Sequence, residues 1–79
     1  MPTGIIMAYS VPDGAQVYID GVAQPGRFGI ARTPTLIPEV PAGTRNVTFT
    51  LPGYINDTKA VDVPQGGFAT VYGILHPMT

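Results

Sequence analysis

The chain has 79 residues, of which only 11% are charged; its formal net charge is −1 and it has no cysteine. Ordinary soluble domains carry about 25% charged residues, so this surface is weakly defended against association. The totals exclude a disulfide framework and a thiolate metal site, a bilayer-spanning run of about 20 apolar residues, and a basic surface for nucleic acid, since Arg27, Arg32, Arg45 and Lys59 are scattered.

The first apolar run is Ile5 to Ser10, and it ends at Val11-Pro12-Asp13-Gly14, where proline sets φ and Asp-Gly supplies a tight turn. Ala15 to Asp20 follows, with Ala15, Val17 and Ile19 on one face and Gln16, Tyr18 and Asp20 on the other. Gly21 turns the chain into Val22-Ala23-Gln24. Residues Pro25 to Arg32 read as a glycine-rich loop, and Thr35-Leu36-Ile37 as a short extended piece after Thr33-Pro34. Another turn, Val40 to Thr44, leads to the clearest alternation, in which Val47, Phe49 and Leu51 oppose Asn46, Thr48 and Thr50. Pro52-Gly53-Tyr54 turns the chain again, Thr58 to Val63 is extended, Pro64 to Gly67 turns, and Phe68 to Leu75 closes the sequence of strands.

No stretch sustains a 3.6-residue apolar period, and ten glycines and nine prolines interrupt the chain every few residues. Together with a 44% hydrophobic fraction, this predicts a packed all-β fold: one domain over residues 1–79, a small antiparallel β-sandwich of six to seven short strands.

The run Ser10-Val11-Pro12-Asp13-Gly14-Ala15-Gln16-Val17-Tyr18-Ile19-Asp20-Gly21 resembles the signature of the PEGA domain, with Pro12-Asp13-Gly14-Ala15 in place of Pro-Glu-Gly-Ala. Thr33-Pro34, Val40-Pro41-Ala42-Gly43-Thr44 and Gly53-Tyr54 match further family positions, so the resemblance covers residues 4–75. The stretch Val22 to Arg32 is longer than the family's usual turn, and the late charged run is thin. The resemblance implies a β-sandwich of the kind found in bacterial and archaeal surface proteins, serving as a spacer or binding module. No catalytic residues attach to the family, so none is carried over. Independently of it, Tyr54 after its Pro-Gly turn is expected to pin a corner by packing or by its hydroxyl.

The residues offer little to catalysis. His76 stands alone near the C-terminus and reads as an exposed tail residue. Asp13 and Asp20 precede glycines and are explained as turn residues; Glu39, Asp57 and Asp62 form no calcium-loop motif with them. No enzyme, cofactor or metal site is therefore expected. Asn46-Val47-Thr48 and Asn56-Asp57-Thr58 are glycosylation sequons, which also arise by chance in a threonine-rich chain.

Two surfaces are expected to make contacts. The loop Arg27, Phe28, Ile30 and Arg32 has hot-spot composition, an aromatic among arginines; Phe28 folding back over one end of the sandwich is the alternative. The first and last strands are apolar on both faces. Ile6 and Ala8 are expected inward, leaving Ile5, Met7 and Tyr9 outward; in the last strand Ala69, Val71 and Leu75 oppose Phe68, Tyr72 and Ile74. A sandwich in water has one wet face per sheet, so something covers the second face: another protein chain, or the Val22 to Arg32 segment folding over it. The partners expected are other protein subunits, with a homo-oligomer or multi-protein assembly as the result; a glycan partner belongs to the alternative below.

Met1 to Tyr9 lacks a basic residue ahead of its apolar run and an h-region of about 7–15 residues. The length, the Met1 start and this missing signal predict a subunit of a virion, tail or sheath. The resemblance predicts instead an extracellular location, as a spacer or binding domain of a cell-surface protein contacting glycan or cell wall. The assembly subunit is the reading taken.

Overall fold

The structure, a computed structural model, describes residues 2–26 and 29–78, and no helix occurs among them. Seven strands build two sheets. The first has the order β10 (Phe68–Ile74), β1 (Thr3–Val11), β6 (Thr35–Pro41); the second has the order β3 (Val22–Ala23), β2 (Gln16–Ile19), β7 (Gly43–Thr50), β9 (Asp57–Val63). Four two-residue strands make two small ladders: β4 (Pro25–Gly26) with β5 (Gly29–Ile30), and β8 (Tyr54–Ile55) with β11 (His76–Pro77). The all-β sandwich expected from the strand pattern is the fold of the protein.

One pairing departs from the antiparallel expectation. β1 and β10 run parallel, from Ile5 opposite Phe68 to Val11 opposite Ile74. The strands are the first and last long ones of the chain, so no hairpin constrains their direction. Leu75 N–H extends this ladder by donating to the Val11 carbonyl at 2.9 Å.

The core lies between the two sheets. Ile6, Ala8, Ile37, Val40 and Val71 come from the first; Val17, Ile19, Val47, Phe49 and Val63 from the second; Ala15 and Leu75 close the margins. Alternation along each strand sends these side chains inward. Among the described residues Phe49 is the largest fully buried side chain, and its ring lies flush against the backbone of Gly73. A methyl at Gly73 would come within 3.0 Å of three Phe49 ring atoms. Glycine there is a packing requirement.

Two backbone features follow from local chemistry. Asp20 and Gly21 have φ of 50° and 80°, the left-handed pair that a tight hairpin between β2 and β3 needs and that Asp-Gly accepts most readily. Between Gly4 opposite Val40 and Ile6 opposite Ile37, β6 carries one extra residue. Glu39 sits within that bulge at φ 60°.

His76 is exposed, but it is no free tail: β11 pairs it with Ile55, and Met78 N–H donates to the Gly53 carbonyl at 3.1 Å. Tyr54, on the partner strand, is half-buried and packs against the core.

Candidate functional site

The outer faces of the two sheets differ in chemistry. On the four-stranded sheet, Gln16 and Tyr18 from β2, Thr48 and Thr50 from β7, and Thr58 and Asp62 from β9 share the outward side. Thr48 and Thr58 hydroxyls bond across the strands at 2.9 Å, and Thr44 donates to Asp62 at 2.6 Å. This is an ordinary wetted face.

The three-stranded sheet presents hydrocarbon and aromatic surface instead. β1 contributes Ile5, Met7 and Tyr9, all half-buried, and Val11, exposed. β10 places Phe68 beside Ile5, Tyr72 beside Tyr9 and Ile74 beside Val11. Phe68 is 68% exposed, Tyr72 59% and Ile74 53%. β6 adds Leu36, 62% exposed and directly opposite Met7. The six residues singled out from sequence thus lie on one face, joined by Val11 and Leu36, which sequence reasoning did not include. Leu36 alternates with the buried Ile37, but its register against Met7 is a tertiary fact.

Tyr9 and Tyr72 stack on one another, ring centroids 5.1 Å apart and planes 22° apart. Between β1 and β6 a shallow groove of about 220 Å³ is lined by Met7, Tyr9, Pro34, Thr35 and Leu36.

The signature residues converge elsewhere, on a buried hydrogen-bond chain. Ser10 Oγ donates to the Pro12 carbonyl at 2.7 Å, so the Thr33 hydroxyl donates to Ser10 Oγ. Thr33 Oγ1 in turn accepts from Ala15 N–H at 3.1 Å. Backbone bonds reinforce it: Thr33 N–H to the Ala15 carbonyl and Gly14 N–H to the Thr33 carbonyl, each 2.9 Å. Ser10 and Thr33 are buried polar residues whose groups are all engaged. The motif is a structural clasp between the first turn and the start of β6, a role for Thr33 that sequence reasoning missed.

A second polar cluster fixes the β2–β3 corner. Asp20 Oδ1 accepts from Asn46 N–H at 3.0 Å and Oδ2 from Arg45 Nη1 at 3.1 Å; Arg45 also donates from Nε to the Pro41 carbonyl and from Nη2 to that of Ala42. The Asn46 N–H, then the Arg45 guanidinium, hold the Asp20 carboxyl below its ordinary 3.8. A carboxylate depressed in this way stabilises the fold above its unfolded value and loses that contribution as pH falls through the folded one. The stability advantage of the wild type over Asp20→Asn is therefore expected in full at neutral pH and gone in acid well below 3.8. Urea midpoints at the two pH values check it; a difference independent of pH would refute the assignment.

Asp57 is likewise structural. Its carboxylate accepts from Ile74 N–H at 2.9 Å and lies 3.6 Å from Lys59 Nζ, tying β9 to the edge of β10. Asn46 and Asn56 both have exposed side chains. Arg32 is exposed, and its guanidinium donates to the Gly14 carbonyl at 3.3 Å. The remainder of the expected contact loop, Arg27, Phe28 and the Ile30 side chain, lies outside the described residues. Among the described residues, no group of three or more His, Asp or Glu side chains is placed to hold a metal ion.

The clasp and the turns occupy the positions of the Pro-Asp-Gly-Ala signature, and the sequence model of the PEGA domain matches residues 3–77. The chain belongs to the PEGA domain family. No curated protein and no solved structure matches it. Membership suggests a surface or binding module, and PEGA domains occur in extracellular or surface proteins. In this PEGA domain the signature builds the scaffold, whereas the apolar sheet face stands apart from it.

Proposed function

We propose that this PEGA domain is a non-catalytic structural and interaction module whose three-stranded sheet docks another protein chain, as a subunit of a larger assembly such as a virion, tail or sheath. The observation that carries the reading is the contrast between the two outer faces. A sheet face bearing Phe68, Tyr72, Ile74 and Leu36, each more than half exposed, marks an interaction site in a chain with few charges to keep it apart from others. The polar side chains of Ser10, Thr33, Asp20 and Asp57 are engaged in bonds that hold the fold. Glycan or peptide hydrolysis that disappears on changing Asp13, Asp20 or Glu39 to alanine would overturn the non-catalytic part.

A glycan-contacting role for a cell-surface spacer finds its support on the opposite sheet. There Tyr18, Thr48, Thr50, Gly21 and Asn56 line an open depression of about 360 Å³, an aromatic among hydroxyls and an amide.

Light scattering over a range of concentrations tests the docking role. Association is expected, and Met7→Lys combined with Tyr72→Lys should abolish it while the circular dichroism spectrum stays that of the wild type. A monomer at every concentration would overturn the assembly role and leave the spacer reading. Unfolding of the variants would show those side chains to be core.

A further inference from the structure

Resting on that docking role, we infer that the partner is a second copy of this chain. Two three-stranded sheets stack face to face about a twofold axis, each seating its Phe68 in the groove between β1 and β6 of the other.

Charge is the first argument. A twofold contact lays one patch on its own image, so any charge near the axis meets its like. The outward side chains of β1 and β10 include no charge, and neither does Leu36 opposite Met7; the charge that borders the face is Glu39 of β6, exposed at its Ile5 end, so the axis must lie on the Met7 side of Ile5. The other sheet, with Asp62 on its outer face, does not meet that condition.

Area is the second. An aromatic side chain carries about 150–250 Å², so Phe68 and Tyr72, 68% and 59% exposed, leave roughly 200–300 Å² uncovered between them. Leu36, Ile74 and Val11, each more than half exposed, extend that patch toward the roughly 600 Å² per partner at which stable contacts begin.

Shape is the third. Phe68 projects from β10 at one margin of the sheet, 68% exposed. The groove of about 220 Å³ lies at the other margin, between β1 and β6. A twofold axis near the middle of β1 carries each knob onto the other copy's groove, with contacts reciprocal as the symmetry requires. Edge-to-edge pairing is disfavoured by Pro38 within β6, which cannot donate, and by Asp57, which already holds Ile74 N–H at the end of β10.

The test is the mass in solution, by sedimentation equilibrium, of the full chain and three variants. The wild type should be a dimer that does not grow with concentration. Phe68→Ser should weaken it by about tenfold or more, as loss of an aromatic anchor seated in a pocket of its partner does. Met7→Lys and Met7→Glu, near the axis, should each be monomeric alone and re-form a dimer when mixed. An association that Met7→Lys abolishes but Phe68→Ser leaves untouched, or one that grows beyond two copies, overturns the twofold arrangement and spares the docking role. A wild type that is monomeric throughout overturns both.

Discussion

Phe49→Ala should lower the unfolding free energy by about 3–5 kcal/mol, the usual cost of deleting a fully buried phenylalanine. A domain of this size sits near the bottom of the range of about 5–15 kcal/mol for folded proteins, so the variant should keep no more than about 2 kcal/mol of stability and unfold at a much lower urea concentration. The ring is wholly inaccessible and bridges the sheets, facing Val17 across β7 and β2 while it lies flush on Gly73 of β10. The converse substitution, Gly73→Ala, overfills the same contact and should cost about 1–3 kcal/mol. Because the cavity left by Phe49→Ala has room for the Gly73→Ala methyl, the double variant should be less destabilised than the two singles imply. Urea unfolding of the four proteins measures this. A strictly additive cycle, or a loss under about 1 kcal/mol for Phe49→Ala, would mean that the ring is not packed as described.

Thr33→Val should cost about 1–3 kcal/mol although it keeps the shape of the side chain. The hydroxyl it deletes is the acceptor for Ala15 N–H and the donor to Ser10 Oγ, all in a buried setting. Leaving a buried donor without its acceptor costs more than the bond itself contributes. Thr33→Ser retains the hydroxyl and should stay close to the wild type. Amide hydrogen exchange at Ala15 provides a local readout, with protection lost in the valine variant and kept in the serine one. Equal stability of the valine and serine variants would show that the clasp contributes nothing.

Much of the architecture was legible before the fold was known because it depends on nearest-neighbour chemistry. Period-two alternation in Ala15 to Ile19 and Asn46 to Leu51 specifies both the strand and its buried side. Asp20-Gly21 specifies its turn because few residue pairs accept two successive positive φ values. The two-faced apolar character of the first and last strands was visible in the same way, and it places Ile5, Met7, Tyr9, Phe68, Tyr72 and Ile74 outward.

What stayed hidden involves partners distant in the chain. The parallel pairing of β1 with β10, the register that sets Leu36 beside Met7, and the meeting of Ser10 with Thr33 join residues from 23 to more than 60 positions apart. No local pattern encodes such a pairing. It is selected by whichever global arrangement buries both inner faces at once and satisfies the polar groups caught between them. The same holds for Asp57 and Asp20, which by sequence are a sequon neighbour and a turn residue; only the fold brings the Ile74 amide and the Arg45 guanidinium to them. By itself, then, the sequence determined an all-β PEGA domain, turns such as Asp20-Gly21, and the inward or outward side of β1, β2, β7 and β10, since those follow from local sterics and burial; the turn expected at Val40 to Thr44 shrinks to Ala42, because β6 runs on to Pro41 and β7 begins at Gly43. Tertiary structure alone decided that the outward apolar residues of three strands merge into one continuous face with a groove beside it, because continuity across strands is set by register.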